Sequence, residues 1–232
     1  ACCTTRIGEG CVLNVAEILV CSVYAICSVV LIIYGLQCYV MTFLFVRRRK
    51  TKLASQRVTM AHFDTVSDEQ LYPKVVTQLP MYNEQGVARR VIEAAARMDY
   101  PRSRHEVQVL DDSNDDTREV VDETARDLQG QGFRVSVVRR DDRTGFKVGA
   151  LQHGLTRTDA DFVAIFDADF VPPEDFLRKS IAFFVERPEI GLVQGRWTHL
   201  NRASSMLTRG QAIGIDGHFV IEQSARTWNN LF

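Results

Sequence analysis

From Ile18 to Val46 the chain carries no charged residue. These 29 consecutive positions, rich in Val, Ile, Leu, Tyr, Cys and Phe, leave few structures open. As a helix they reach roughly 44 Å, more than the roughly 30 Å of a bilayer's hydrocarbon layer. One tilted transmembrane helix over 18–46 fits, and two do not. A secretory signal has a shorter apolar stretch and a small-residue cleavage site, whereas this one ends in Arg47-Arg48-Arg49-Lys50. The basic cluster orients the helix, with 1–17 as a non-cytoplasmic stub and everything from 47 onward in the cytoplasm. Cys2, Cys3, Cys11, Cys21, Cys27 and Cys38 all lie in or before this segment. A cysteine-free remainder suits a reducing compartment, and no Cys-x-x-Cys pair suggests zinc.

Residues 47–72 mix charges without a clear period and read as a basic cytoplasmic linker with one amphipathic helix. A folded domain over 73–232 follows. Short β-branched runs alternate there with helical stretches: strands over 75–79, 106–110, 134–139, 162–166 and 191–196, and helices over 84–98, 115–129, 147–155 and 174–185. Residues 204–228 read as helical. Such a βαβα succession predicts an α/β, Rossmann-like, mainly parallel sheet with helices on both faces. Ligands of such sheets bind at the carboxyl ends of the strands. The polar clusters fall there: Tyr82-Asn83-Glu84, Asp111-Asp112-Ser113-Asn114-Asp115 and Asp167-Ala168-Asp169. For Asn83, Ser113 and Asp115 helix capping competes with ligand contact. Capping does not explain acidic residues gathered on one edge, where like charges repel unless a cation or donor-rich ligand is shared. Asp167 and Asp169 could offer hard oxygens to a divalent cation carrying a phosphorylated substrate, although a lone Asp-x-Asp is most often a solvated turn. A net charge of -1 argues against broad electrostatic binding of nucleic acid. A dinucleotide-dependent oxidoreductase would need G-x-G-x-x-G after the first strand, and the chain lacks it.

Five segments occur in one order: Q-L-P-M-Y-N-E at 78–84, V-L-D-D-S-N-D at 109–115, D-R-T-G-F-K-V-G-A-L at 142–151, F-D-A-D-F at 166–170 and V-Q-G-R-W at 193–197. Together they resemble the processive family 2 glycosyltransferases, nearest the cellulose synthase-like and glucomannan synthase-like branch. The resemblance implies a GT-A-type domain that takes a hexose from a nucleotide-sugar, UDP-glucose or GDP-mannose, to a growing β-linked polysaccharide with inversion. It places Tyr82 and Glu84 at the base and ribose, Asp111 and its neighbour Asp112 at the base, and Lys147 at the diphosphate with help from Arg143. Asp167 and Asp169 would hold Mg²⁺ or Mn²⁺. Gln194, Arg196, Trp197 and His218 would stand on the sugar and acceptor side, together with Asp216, and Glu222 reads as structural. His62, His105, His153 and His199 read as ordinary surface or half-buried residues. The implied partners are the nucleotide-sugar donor, a polysaccharide acceptor, the lipid bilayer and subunits of a synthase complex, and not nucleic acid. The family's general base and its Q-x-x-R-W motif are expected beyond Phe232. The chain, which starts at Ala1 without Met, is therefore expected to be a fragment, inactive alone. A non-catalytic nucleotide-sugar-binding or scaffold subunit is the alternative.

Overall fold

The computed structural model describes residues 14–231. The stub and Cys2, Cys3 and Cys11 lie largely outside them. Two compact units are present, Ser55–Gly195 and the described parts of 1–54 with 196–232.

Helix α1 runs from Val15 to Met60. Asn14 and Glu17 start it as a capping box, each side chain accepting the other's backbone N–H at 2.9 Å. The apolar run lies within it, and α1 is the one helix among the described residues long and apolar enough to cross a membrane. It continues past Val46 because residues 47–60 contain no Gly or Pro and several good helix formers, such as Arg, Lys, Ala and Gln. The same unit holds α6 (Met206–Asp216), a π-helical segment Gly217–Gln223 and α7 (Ser224–Asn229). Trp228 of α7 stacks on Phe45 at 5.5 Å, and the Arg48 guanidinium donates to its carbonyl at 2.7 Å.

The other unit carries the sheet. Its elements are β1 (Val75–Met81), α2 (Gln85–Ala96), β2 (His105–Asp111), α3 (Thr117–Gly130), β3 (Val135–Val138), α4 (Phe146–Leu155), β4 (Phe162–Ile165) and α5 (Phe176–Glu186). All pairings are parallel, in the order β3-β2-β1-β4. The expected GT-A-type α/β architecture is thus present, with helices on both faces. Strand periodicity assigns the faces. Val75, Leu79, Met81, Val107 and Val109 join α2, α3 and α5 in the main core, through Val91, Ile92, Val121, Leu128, Leu177 and Ile181. The alternate residues Val76, Gln78, Gln108 and Leu110 are also buried, on the face covered by α4. There the Gln78 amide donates to Gln108 at 2.8 Å. Helix α4 lies so close over this pair that a Cβ on Gly154 would meet Gln108 Oε1 at 2.5 Å and Gln78 Nε2 at 2.6 Å.

The segment 61–72 contributes to the core as well. Phe63 and Tyr72 are buried and stacked at 4.5 Å, and Tyr72 meets Tyr100 edge-on at 5.3 Å. Two aromatics nine positions apart carry no periodic signal, so the sequence pattern does not reveal them. A strand over 191–196 does not form: a strand needs a paired neighbour to take up its backbone N–H and C=O groups, and none pairs with this segment among the described residues.

His105 departs from the surface reading. It is 6% exposed, its Nε2 lies 2.9 Å from Thr77 Oγ1, and burial, with a smaller contribution from Arg134, pushes its pKa down to about 4. Between about pH 6.5 and 4 the unfolded chain therefore binds a proton that the folded one refuses, so stability falls as pH falls through that window. We expect a loss of about 2 to 3 kcal/mol between pH 7 and pH 4.5 from this residue. Thermal melts across the window should show His105→Gln, which keeps a neutral polar group toward Thr77, losing less than wild type.

Candidate functional site

At the carboxyl ends of β1, β2 and β4 lies a cavity of about 380 Å³. Tyr82, Glu84, Asp112, Arg143, Lys147, Asp167 and Asp169 line it, with Pro80, Met81, Ala150 and Ala168. Of the site residues expected from sequence, the structure thus brings seven together: Tyr82, Glu84, Asp112, Arg143, Lys147, Asp167 and Asp169.

The loop after β1 is tied to the loop after β2. Asn83 takes a left-handed backbone conformation with φ 56°, which Asn tolerates, and its amide donates to Asn114 at 2.9 Å. Its own carbonyl oxygen accepts the Asn114 backbone N–H at 3.1 Å, and its backbone N–H reaches Ser113 Oγ at 3.0 Å. Asn83 and Ser113 are therefore loop fasteners.

Asp111 and Asp112 face opposite ways, as successive residues leaving a strand do. The Asp111 side chain is fully enclosed and does not line the cavity. It accepts the Ser113 backbone N–H at 3.0 Å and Arg139 Nε at 2.8 Å. Asp112 does line the cavity, and Arg140 grips it through Nε at 3.1 Å and through Nη2. These two arginines escaped the sequence reading. The signal was available in the strand register: Val107 opposes Val135, and the same offset carried four and five residues on sets Asp111 opposite Arg139 and Asp112 opposite Arg140. Burial works against the Arg139 charge, but the hydrogen bonds it donates to Asp122 and Asp111 outweigh it and raise its pKa. Arg140 is raised chiefly by its hydrogen bond to Asp112.

Arg140 also shapes the turn into α4. It donates to the Thr144 carbonyl at 2.9 Å and to the Phe146 carbonyl at 3.1 Å. The turn needs Gly145, whose φ is 74°, and a Cβ on Gly149 would run into the Thr144 carbonyl. This geometry presents Lys147 one residue inside α4, where it pairs with Asp167. Asp169 is exposed at the cavity. Arg143 lies over the Tyr82 ring, its Cζ 3.2 Å from the centroid.

The remaining candidate of this unit, Gln194, is exposed and does not line the cavity. In the other unit Arg196 is exposed, and Trp197 is 46% exposed and stacks on Phe219 at 5.5 Å. His218, on the π-helical segment, lies 3.2 Å from Glu222 and from Gln223, and Asp216 pairs with Arg202 at 2.8 Å. Glu222 also binds Arg226 at 2.9 Å, and hydrogen bonds from Arg226 and then His218 hold its pKa below the usual carboxylate range.

Among the described residues no group of three or more His, Cys, Asp or Glu could hold a metal ion. Of the four carboxylates that line the cavity, Asp167 pairs with Lys147 and Asp169 stands two residues further on. That set suits a hard cation sharing its coordination with ligand phosphates and water, as Mg²⁺ commonly does.

Comparison with known proteins extends the picture. The model of the family described as Glycosyl transferase family 2 matches residues 78–222. A glucomannan 4-beta-mannosyltransferase 7 of Arabidopsis thaliana is 42% identical over 156 residues, 66% of this chain and 28% of that protein. A glucomannan 4-beta-mannosyltransferase 1 of Cyamopsis tetragonoloba is 44% identical over 156 residues, 66% of this chain and 30% of that protein. The matched segment spans less than a third of these relatives. Among solved structures, the mannosyltransferase PcManGT from Pyrobaculum calidifontis in complex with GDP-Man and Mn²⁺ shares 23% identity at a TM-score of 0.46, covering 62% of this chain and 44% of its own.

Proposed function

Because the chain belongs to glycosyl transferase family 2, whose model covers residues 78–222, we propose that it supplies the donor-binding half of a membrane-anchored, inverting hexosyltransferase. The donor is a nucleotide-sugar and the acceptor a growing β-linked polysaccharide. The names of the similar proteins favour a mannosyl donor, GDP-mannose, over UDP-glucose. One observation carries the reading: an aromatic ring, a lysine and four carboxylates, from separate stretches of sequence, meet in a single cavity at the carboxyl ends of parallel strands.

In this reading Tyr82 and Glu84 receive the base and ribose. Lys147 exchanges Asp167 for the diphosphate, a point charge on a flexible stem moving a short distance. Asp167 and Asp169 then hold Mg²⁺ or Mn²⁺, which when bound supplies Lewis-acid stabilisation of the departing nucleoside diphosphate. Arg140 and Asp112 keep the turn that aims Lys147. Gln194, Arg196, Trp197 and His218 remain acceptor-side proposals. Helix α1 is the membrane anchor, with Arg47 to Lys50 and the sheet unit on the cytoplasmic side.

The test uses membranes carrying the full-length protein, labelled GDP-mannose or UDP-glucose, and Mn²⁺ or Mg²⁺. Polymer labelled from GDP-mannose is the expected result. Donor binding without incorporation from either sugar would instead leave a nucleotide-sugar-binding subunit.

A further inference from the structure

We propose that Arg143 makes access to the nucleobase seat depend on the ligand's phosphates. Its guanidinium covers the Tyr82 ring and gives up that place only to a ligand whose diphosphate attracts it. The proposal rests on the nucleotide reading of the cavity and deepens it by assigning how the site distinguishes a nucleoside diphosphate from a nucleoside.

Three observations carry it. With Arg143 Cζ 3.2 Å from the centroid, that face of Tyr82 has no room for a base, which needs about the same spacing to stack. Arg143 is also, among the described residues, the cavity cation that no carboxylate neutralises. Lys147 is held by Asp167, and the neighbouring Arg139 and Arg140 are held by Asp111, Asp122 and Asp112. The Arg143 Nε is a buried donor without an acceptor. Finally, the backbone beneath it is fixed. The Arg143 carbonyl accepts the Phe146 N–H at 2.9 Å, and Arg140 holds Thr144 and Phe146. Clearing the ring therefore requires only rotation of one side chain.

The energetics give the discrimination. A half-exposed guanidinium on an aromatic face is held more weakly than one in a charge-assisted hydrogen bond to phosphate. A nucleoside diphosphate offers that exchange and uncovers the ring. A nucleoside must displace the arginine and offers no phosphate in return.

The experiment compares wild type with Arg143→Ala and Arg143→Gln, as full chains in detergent micelles, by calorimetric titration with guanosine, uridine, GDP and UDP in the presence of Mn²⁺. In the preferred base series, both variants should bind the nucleoside about threefold to tenfold more tightly. They should bind the nucleoside diphosphate about tenfold or more weakly. Opposite signs for the two ligands are the signature. If wild type binds diphosphates and the variants shift both ligands the same way, or neither, the gating role is overturned while the nucleotide site stands. If wild type binds none of the four, the nucleotide reading falls, and the gate with it. Unchanged thermal midpoints verify that the variants fold, and the glutamine variant retains polar bulk should alanine loosen the turn.

Discussion

Asp167→Ala should lower sugar transfer by about a hundred- to a thousandfold while strengthening metal-free binding of the nucleoside diphosphate. The two effects have one origin, because Asp167 pairs with Lys147 and lines the proposed metal seat. Its removal takes one of two carboxylates from the cation that would stabilise the leaving group, a loss comparable with deleting a main electrostatic contact to a transition state. The same removal frees Lys147 from its internal partner, so a diphosphate no longer competes with a carboxylate for it. Transfer assays with saturating donor and Mn²⁺, paired with GDP and UDP titrations in a chelator, measure both. A variant that kept near-normal transfer, or whose chelator-treated affinity fell, would remove the Lys147–Asp167 exchange from the mechanism.

Arg140→Ala should cost about 1 to 3 kcal/mol of stability, because it leaves a largely enclosed carboxylate without its cation. The Arg140 and Asp112 side chains are only 10% and 8% exposed, so water from the cavity replaces the lost partner only in part. The Thr144 and Phe146 carbonyls lose their donor at the same time. Arg140→Lys should recover little, since an ammonium cannot reach a carboxylate and two carbonyls through a planar fork. Asp112→Ala, which leaves the cation able to find water, should cost less, and the double variant should be more stable than the sum of the single changes predicts. Chemical denaturation of the four proteins gives that cycle. A donor KM that rises in Arg140→Lys would further show that the turn positions Lys147.

The sheet was legible in sequence because short β-branched runs alternate with helical stretches, even though β1 and β2, buried on both faces, also enclose the polar Thr77, Gln78 and Gln108. The carboxylates were legible because acidic residues cluster where the strands stop, whereas Lys147 was indicated only by the family resemblance of the 142–151 segment. Asp111 and Asp112 were harder to separate, since one step along a strand decides between the interior and the cavity. Arg139 and Arg140 became visible only once β2 and β3 were placed in register. Neither the absence of a strand over 191–196 nor the π-helical turn at 217–223 has a local signal. The first depends on a neighbouring strand, the second on which carbonyl an amide finds in the folded chain.

The bare backbone of Gly154 governs geometry well beyond its own contacts. Lys147 stands seven residues earlier on the same rigid helix, about 10 Å along its axis. The Gln78–Gln108 pair acts as a fulcrum, and the absence of a side chain lets α4 rest fully on it. A single added methyl group there would lever the far end of the helix, so the position of Lys147 in the cavity is set in part by a residue that does not line it.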